Sequence, residues 1–215
     1  MPTTLDFERR VQLFQRRNTP SLSKITSGVF LGNGAALRDV NALRELHIDA
    51  VVSLTDAPDG LWSQGRFREI VPEDRHLFIE CLDSPTEDLL VHMNRICDFI
   101  DTVLSSGTPT YAGVLIQCDY GISRSSTVVI AYLMRKNSSS LKETMSLVRS
   151  RRKEVKPSSN FLRQLQVWEK VGYRVWEDED GKIPKAEYQL FLDERTVELR
   201  IKGLTGNEPC FPRSL

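Results

Sequence analysis

Cys118 and Arg124 stand five residues apart, with Gly121 between them and Ser125 just beyond. An ionised thiol is a strong nucleophile, and a guanidinium presents a planar fork that matches two oxygens of a tetrahedral oxyanion. Together they suit in-line attack on the central atom of such an ester, with the arginine gathering the charge that develops. Gly121 supplies a backbone conformation that a side chain would block. The hydroxyl of Ser125 lies close enough in sequence to reach the sulfur and ease its departure.

The flanking residues predict how these groups are positioned. Gly113 leads into the apolar run 114–116, which reads as a short buried strand. Residues 126–134 are apolar almost throughout and read as a buried helix. A strand feeding a tight loop into a helix N-terminus makes an anion site, because loop amides and the first free helix N–H groups converge there. The amides of Asp119, Tyr120, Gly121, Ile122, Ser123 and Arg124 are the expected oxyanion donors. The mouth of such a site favours a thiolate at Cys118.

The rest of the chain predicts an α/β domain built on a central, mostly parallel sheet flanked by helices. Strands are expected over 25–31, 48–54 and 77–79, and helices over 35–46 and 89–104. Asn33-Gly34 reads as a turn, and 56–68 and 105–111 as loops. Ser138–Ser140 read as the cap of a helix with Leu141, Met145 and Val148 at helical spacing. Pro157 and the residues after it restart a helix through Trp168. We divide the chain into an arm over 1–20, a catalytic domain over 21–175 and a partly helical or loosely ordered extension over 176–215. The arginines of the arm, Arg9, Arg10, Arg16 and Arg17, read as a solvated face, and the extension as packed on the domain.

Composition excludes several classes. Lys+Arg and Asp+Glu number 29 each, so no global charge points to nucleic acid or an acidic membrane surface. Apolar runs are too short to span a bilayer. Cys81, Cys97, Cys118 and Cys210 are widely spaced, as are His47, His76 and His92, so neither a disulfide framework nor a metal site is expected. The first ten residues hold no apolar signal segment, and a reducing, intracellular compartment, cytoplasmic or nuclear, fits an unpaired reactive thiol.

The stretch Cys118-x5-Arg124-Ser125, with its glycine and its strand–helix setting, resembles the signature of the cysteine-dependent protein tyrosine and dual-specificity phosphatases. The resemblance extends over roughly 21–173 and is closest to the small atypical dual-specificity members. Asp83-Ser84-Pro85 with Asp88-Leu89 resembles that family's general-acid loop, and 157–165 its closing Pro-Asn-x-x-Phe-Leu-x-Gln-Leu segment. Two positions depart: Gln117 stands where the family usually has histidine, and Ser158 where it has asparagine. The separation of Asp83 from Cys118 is also a few residues longer, through the loop at 105–111.

The resemblance implies a phosphatase acting on phosphorylated protein, on phosphotyrosine and phosphoserine/threonine, through a phosphocysteine on Cys118. Arg124 would clamp the phosphoryl oxygens, Asp83 would be the general acid and Ser125 would assist the leaving sulfur. It implies no metal and no cofactor, and oligomeric state is left open. Asp119 argues against a highly anionic lipid headgroup, and Tyr120 would wall the pocket or stack on a substrate ring. Gln117 and Ser158 keep a second reading open, a pseudophosphatase that binds phosphoproteins without turnover. Cys81, expected on a strand beside the cysteine strand, would be positioned to trap oxidised Cys118.

Overall fold

A computed structural model describes residues 4–60, 65–106 and 113–206. Five strands form one sheet in the order β1-β2-β5-β3-β4: β1 (Leu22–Thr26), β2 (Val29–Asn33), β3 (Ile48–Thr55), β4 (His76–Glu80) and β5 (Gly113–Cys118). Only the β1–β2 pair is antiparallel. The mostly parallel sheet expected from the sequence is therefore present.

Two expectations are corrected. Residues 25–31 are not one strand: the chain reverses at Gly28, whose φ of 74° suits a residue without a side chain, and forms a β1–β2 hairpin. Residues 35–46 are not one helix either. A 3-10 turn over Gly34–Arg38 ends at Asp39, whose carboxylate accepts from Ala42 N and starts α2 (Val40–Glu45). The 56–68 stretch ends in a single helical turn, α3 (Gly65–Arg68). Most of the loop expected at 105–111 lies outside the described residues, as does Cys210. Ser105 and Ser106 end a helix instead.

Side chains on the central strand alternate. Val114, Ile116 and Cys118 face the larger apolar core, while Leu115 faces a smaller one with Leu37 and Leu43. The larger core is closed by α4 (Leu90–Ser106), α5 (Arg124–Asn137), α6 (Leu141–Arg151) and α7 (Ser159–Lys170). Helix α5 is buried from Arg124 to Met134. Its neighbours are tied on by specific bonds. Asp101 of α4 accepts from Tyr132 and Arg135, and Trp168 Nε1 donates to the Ala131 carbonyl. Ser140 and Glu143 cap α6 reciprocally.

Both flanks of the domain are helical and packed on it. α1 (Thr4–Asn18) runs to the end of β2, where the fully buried Asn33 amide donates to the carbonyls of Arg16 and Thr19 at 2.8 Å each. α8 (Ala186–Ile201) buries Tyr188 and Phe191 in the main core against α7. None of the described helices is long and apolar enough to cross a membrane.

Candidate active site

β5 ends at Cys118 and α5 begins at Arg124, so the loop between them closes over the carboxyl end of the sheet. Gly121 turns that loop with a φ of +65°, and a Cβ there would lie 2.6 Å from the Gly32 carbonyl oxygen. No other residue type fits that contact. Arg152 holds the turn from outside: its Nε donates to the Gly121 carbonyl at 3.0 Å and its Nη1 to Ser23 Oγ at 3.2 Å. Burial pulls the Arg152 pKa below its ordinary value, with Glu154 and Cys118 opposing the shift. The sequence placed Arg152 in a basic run with nothing to mark it as buried.

Cys118 is 2% exposed, at the floor of a cavity of about 150 Å³, and its Sγ lies 3.1 Å from Ser125 Oγ. Arg124 is also buried. Its Nη1 donates to the Cys81 carbonyl at 3.0 Å and its Nη2 to the Asp119 carboxylate at 2.6 Å. Its Nε is buried without a partner among the described residues. Burial opposes the Arg124 charge, yet Cys118 and Asp119 together hold its pKa above the usual value. A buried fork with one unpartnered N–H beside a thiol is suited in geometry and charge to hold an oxyanion.

Asp83 lines the same cavity, and its Oδ1 accepts from Ser123 Oγ at 3.1 Å. Ser123 Oγ accepts in turn from Ser158 N at 3.2 Å. Ser158 caps α7 by accepting from Phe161 N. The loop is thus braced at position 158 by a main-chain N–H, which serine supplies as well as asparagine would. Tyr120 and Ile122 wall the cavity, with Leu13 and Arg16 of α1 opposite them. The N-terminal arm is therefore part of the site, not only a solvated face. Its anchor is Asn33, read from sequence merely as a turn residue, and its Arg17 pairs with Asp119 at 3.3 Å.

Gln117 lies 2% exposed on the opposite face of β5 from Cys118, and its Oε1 has no partner among the described residues. Its side chain belongs to the α2 side of the sheet, by Gly34. Cys81 does not sit on a strand beside β5, because β3 lies between β4 and β5. Its carbonyl holds Arg124 instead. Burial pushes the Cys81 thiol strongly upward and that of Cys97 to about 12, which disfavours ionisation of either. The described residues contain no cluster of His, Cys, Asp and Glu fit for a metal.

Two residues assigned no role from the sequence, one of them the glutamine of the closing motif, hold the loop that carries Asp83. Asn160 Nδ2 donates to the carbonyls of Ser84 and Glu87 at 3.0 and 2.8 Å, and Gln164 Nε2 donates to Glu87 O at 2.7 Å. The available signal was an i, i+4 polar pair on the face of α7 that also carries Phe161, Leu165 and Trp168.

Comparison with known proteins agrees with this geometry. The family model described as the dual specificity phosphatase catalytic domain matches residues 29–171. Dual specificity protein phosphatase 1B of Arabidopsis thaliana is 35% identical over 150 residues, covering 69% of this chain and 82% of its own. Dual specificity protein phosphatase MPK-4 of Drosophila melanogaster is 30% identical over 158 residues, covering 72% of this chain, but the match spans only 38% of the fly protein. The crystal structure of human DUSP28 superposes with a TM-score of 0.62 at 28% identity, covering 71% of this chain and 95% of that one. With the cysteine loop, the arginine clamp and this match in agreement, the chain belongs to the dual-specificity phosphatase family.

Proposed function

We propose that this chain hydrolyses phosphotyrosine and phosphoserine/threonine on protein substrates through a phosphocysteine intermediate. The observation that carries the reading is the pairing of Cys118 Sγ with Ser125 Oγ at 3.1 Å, beside a buried Arg124 with a free Nε. Phosphoryl transfer passes through a loose transition state, so positioning and charge stabilisation supply most of the catalysis. Cys118 as thiolate attacks phosphorus in line, the phosphorus–oxygen bond to the substrate breaks, and the phosphoryl group moves to sulfur. The amides of residues 119–124 and the Arg124 fork hold the three equatorial oxygens.

Asp83 donates the proton that the departing alkoxide or phenoxide needs, and afterwards takes one from the water that attacks the phosphocysteine. Ser125 donates to the sulfur as it leaves. An unpaired nucleophilic thiol supports an intracellular setting, since Cys81, Cys97 and Cys118 are all free. The reading as a binding protein without turnover is not favoured, because nucleophile and clamp are both in place.

The test is hydrolysis of a small aryl phosphate and of phosphotyrosyl and phosphothreonyl peptides by the wild type beside Cys118→Ser. The serine variant is expected to lose turnover and keep phosphopeptide binding, and the wild-type rate to be unchanged by a chelator. Substantial activity in Cys118→Ser removes the cysteine mechanism.

A further inference from the structure

Helix α8 lies wholly beyond residue 171, where the family match ends, yet it reaches back to the loop that carries Asp83. Tyr188, 1% exposed, donates its hydroxyl to Asp88 Oδ2 at 2.8 Å. Asp88 Oδ1 meanwhile accepts from Leu90 N at 2.9 Å, so one buried carboxylate ties the start of α4 to α8. Arg195 Nε donates to the Thr86 carbonyl at 2.6 Å. Helix α8 is itself fixed to α7 by the Arg163–Glu194 and Lys170–Glu187 ion pairs and by Arg163 lying over the Phe191 ring. With Asn160 and Gln164 on the other side, the carbonyls of Ser84, Thr86 and Glu87 are all held from outside the loop.

We propose that α8 is a positioning element for proton donation, with Tyr188 and Arg195 as its positioning residues. The inference rests on the reading of Asp83 as general acid. Asp83 is exposed and among the described residues its side chain is held by Ser123 Oγ alone, so its place at the cavity depends on the backbone around it. A misplacement of about 1 Å in a reacting group costs on the order of 10²-fold in rate. A loop held at three carbonyls and one buried carboxylate keeps the Asp83 carboxyl within reach of the leaving oxygen. The substrates that feel this most are those whose leaving group needs the proton.

The experiment compares full-chain wild type, Asp83→Ala, Tyr188→Phe, Arg195→Ala and the Tyr188→Phe/Arg195→Ala double variant. Each is assayed on an aryl phosphate with a strongly acidic phenol and on phenyl phosphate, with thermal melting alongside. Tyr188→Phe keeps the ring packed on Trp176 and Phe191 and removes only the hydroxyl. Asp83→Ala is expected to slow phenyl phosphate by about 10²–10⁴-fold and the activated ester far less. The double variant is expected to show the same selectivity at smaller size, roughly 5–20-fold on phenyl phosphate, as partial misplacement predicts. A double variant with the wild-type ratio of the two rates, or with equal loss on both, overturns the role of α8 while leaving Asp83 as acid. If Asp83→Ala itself fails to separate the substrates, the acid assignment falls and the α8 proposal falls with it.

Discussion

The Asp119 carboxylate sits 2.6 Å from Nη2 of Arg124 and 3.3 Å from Nη2 of Arg17, so one acid at the head of the cysteine loop joins the oxyanion clamp to helix α1. The carboxylate orients the guanidinium, but it also places a negative charge beside the proposed seat of a phosphate dianion.

Asp119→Asn keeps an acceptor for Arg124 and removes the charge. Inorganic phosphate and orthovanadate are therefore expected to inhibit this variant about 3–10-fold more tightly than wild type, the scale of one screened charge at this range. The measurement is the inhibition constant at two ionic strengths. An unchanged constant at low salt would mean that Arg17 and Arg124 already neutralise Asp119.

In the proposed mechanism Ser125→Ala removes the donor to the departing sulfur, 3.1 Å away in the resting site. A hydrogen bond to a charged group is worth about 1.5–3 kcal/mol, so phosphocysteine hydrolysis is expected to slow by roughly 10–100-fold. Sulfur attack is affected less. With an activated aryl phosphate, rapid mixing should reveal a burst of phenol equal to the enzyme concentration, followed by a slow steady state. Slow turnover without a burst would place the loss in the first step.

The pH dependence of stability should carry a signature of His76. Burial, aided by Arg68, lowers its pKa from the ordinary 6.5 to about 4, and its Nε2 lies 2.9 Å from Ser53 Oγ. Between those two values the unfolded chain binds the proton and the folded chain does not. The contribution is thus complete above pH 6.5 and is lost as pH falls toward 4. Partial solvent access makes it modest. His76→Gln can still bond Ser53 and does not titrate, so its melting temperature should fall less between pH 6.5 and 4.5 than that of wild type. Parallel curves would assign the acid sensitivity to other groups.

The assembly of the site was legible because its residues stand at fixed spacing on one stretch of chain. Cys118, Gly121, Arg124 and Ser125 sit on one loop, and the apolar runs on either side identify a strand and a helix. Asp83 was legible only through resemblance, since an Asp-Ser-Pro turn has no chemistry of its own. What escaped was held by main-chain atoms. The carbonyls of Arg16, Thr19, Ser84, Thr86 and Glu87 receive the amides and the guanidinium that fix α1 and the acid loop, and no side-chain pattern marks them. The hairpin at Gly28 escaped because its two strands are five residues each and only Ser27 and Gly28 separate them. The split at Asp39 escaped because Leu37, Val40 and Leu43 keep helical spacing across it.

The anchorage of α1 has a consequence for how substrate preference can change. Asn33 grips Arg16 and Thr19 by their carbonyls, and Asn33 itself lies beside Cys118 in the β2–β5 register. The side chains at 13 and 16 take no part in that grip, yet they face the cavity. One wall of the cleft is thus a replaceable facing on a fixed mount: its outward residues can be exchanged without moving the strand that carries the nucleophile.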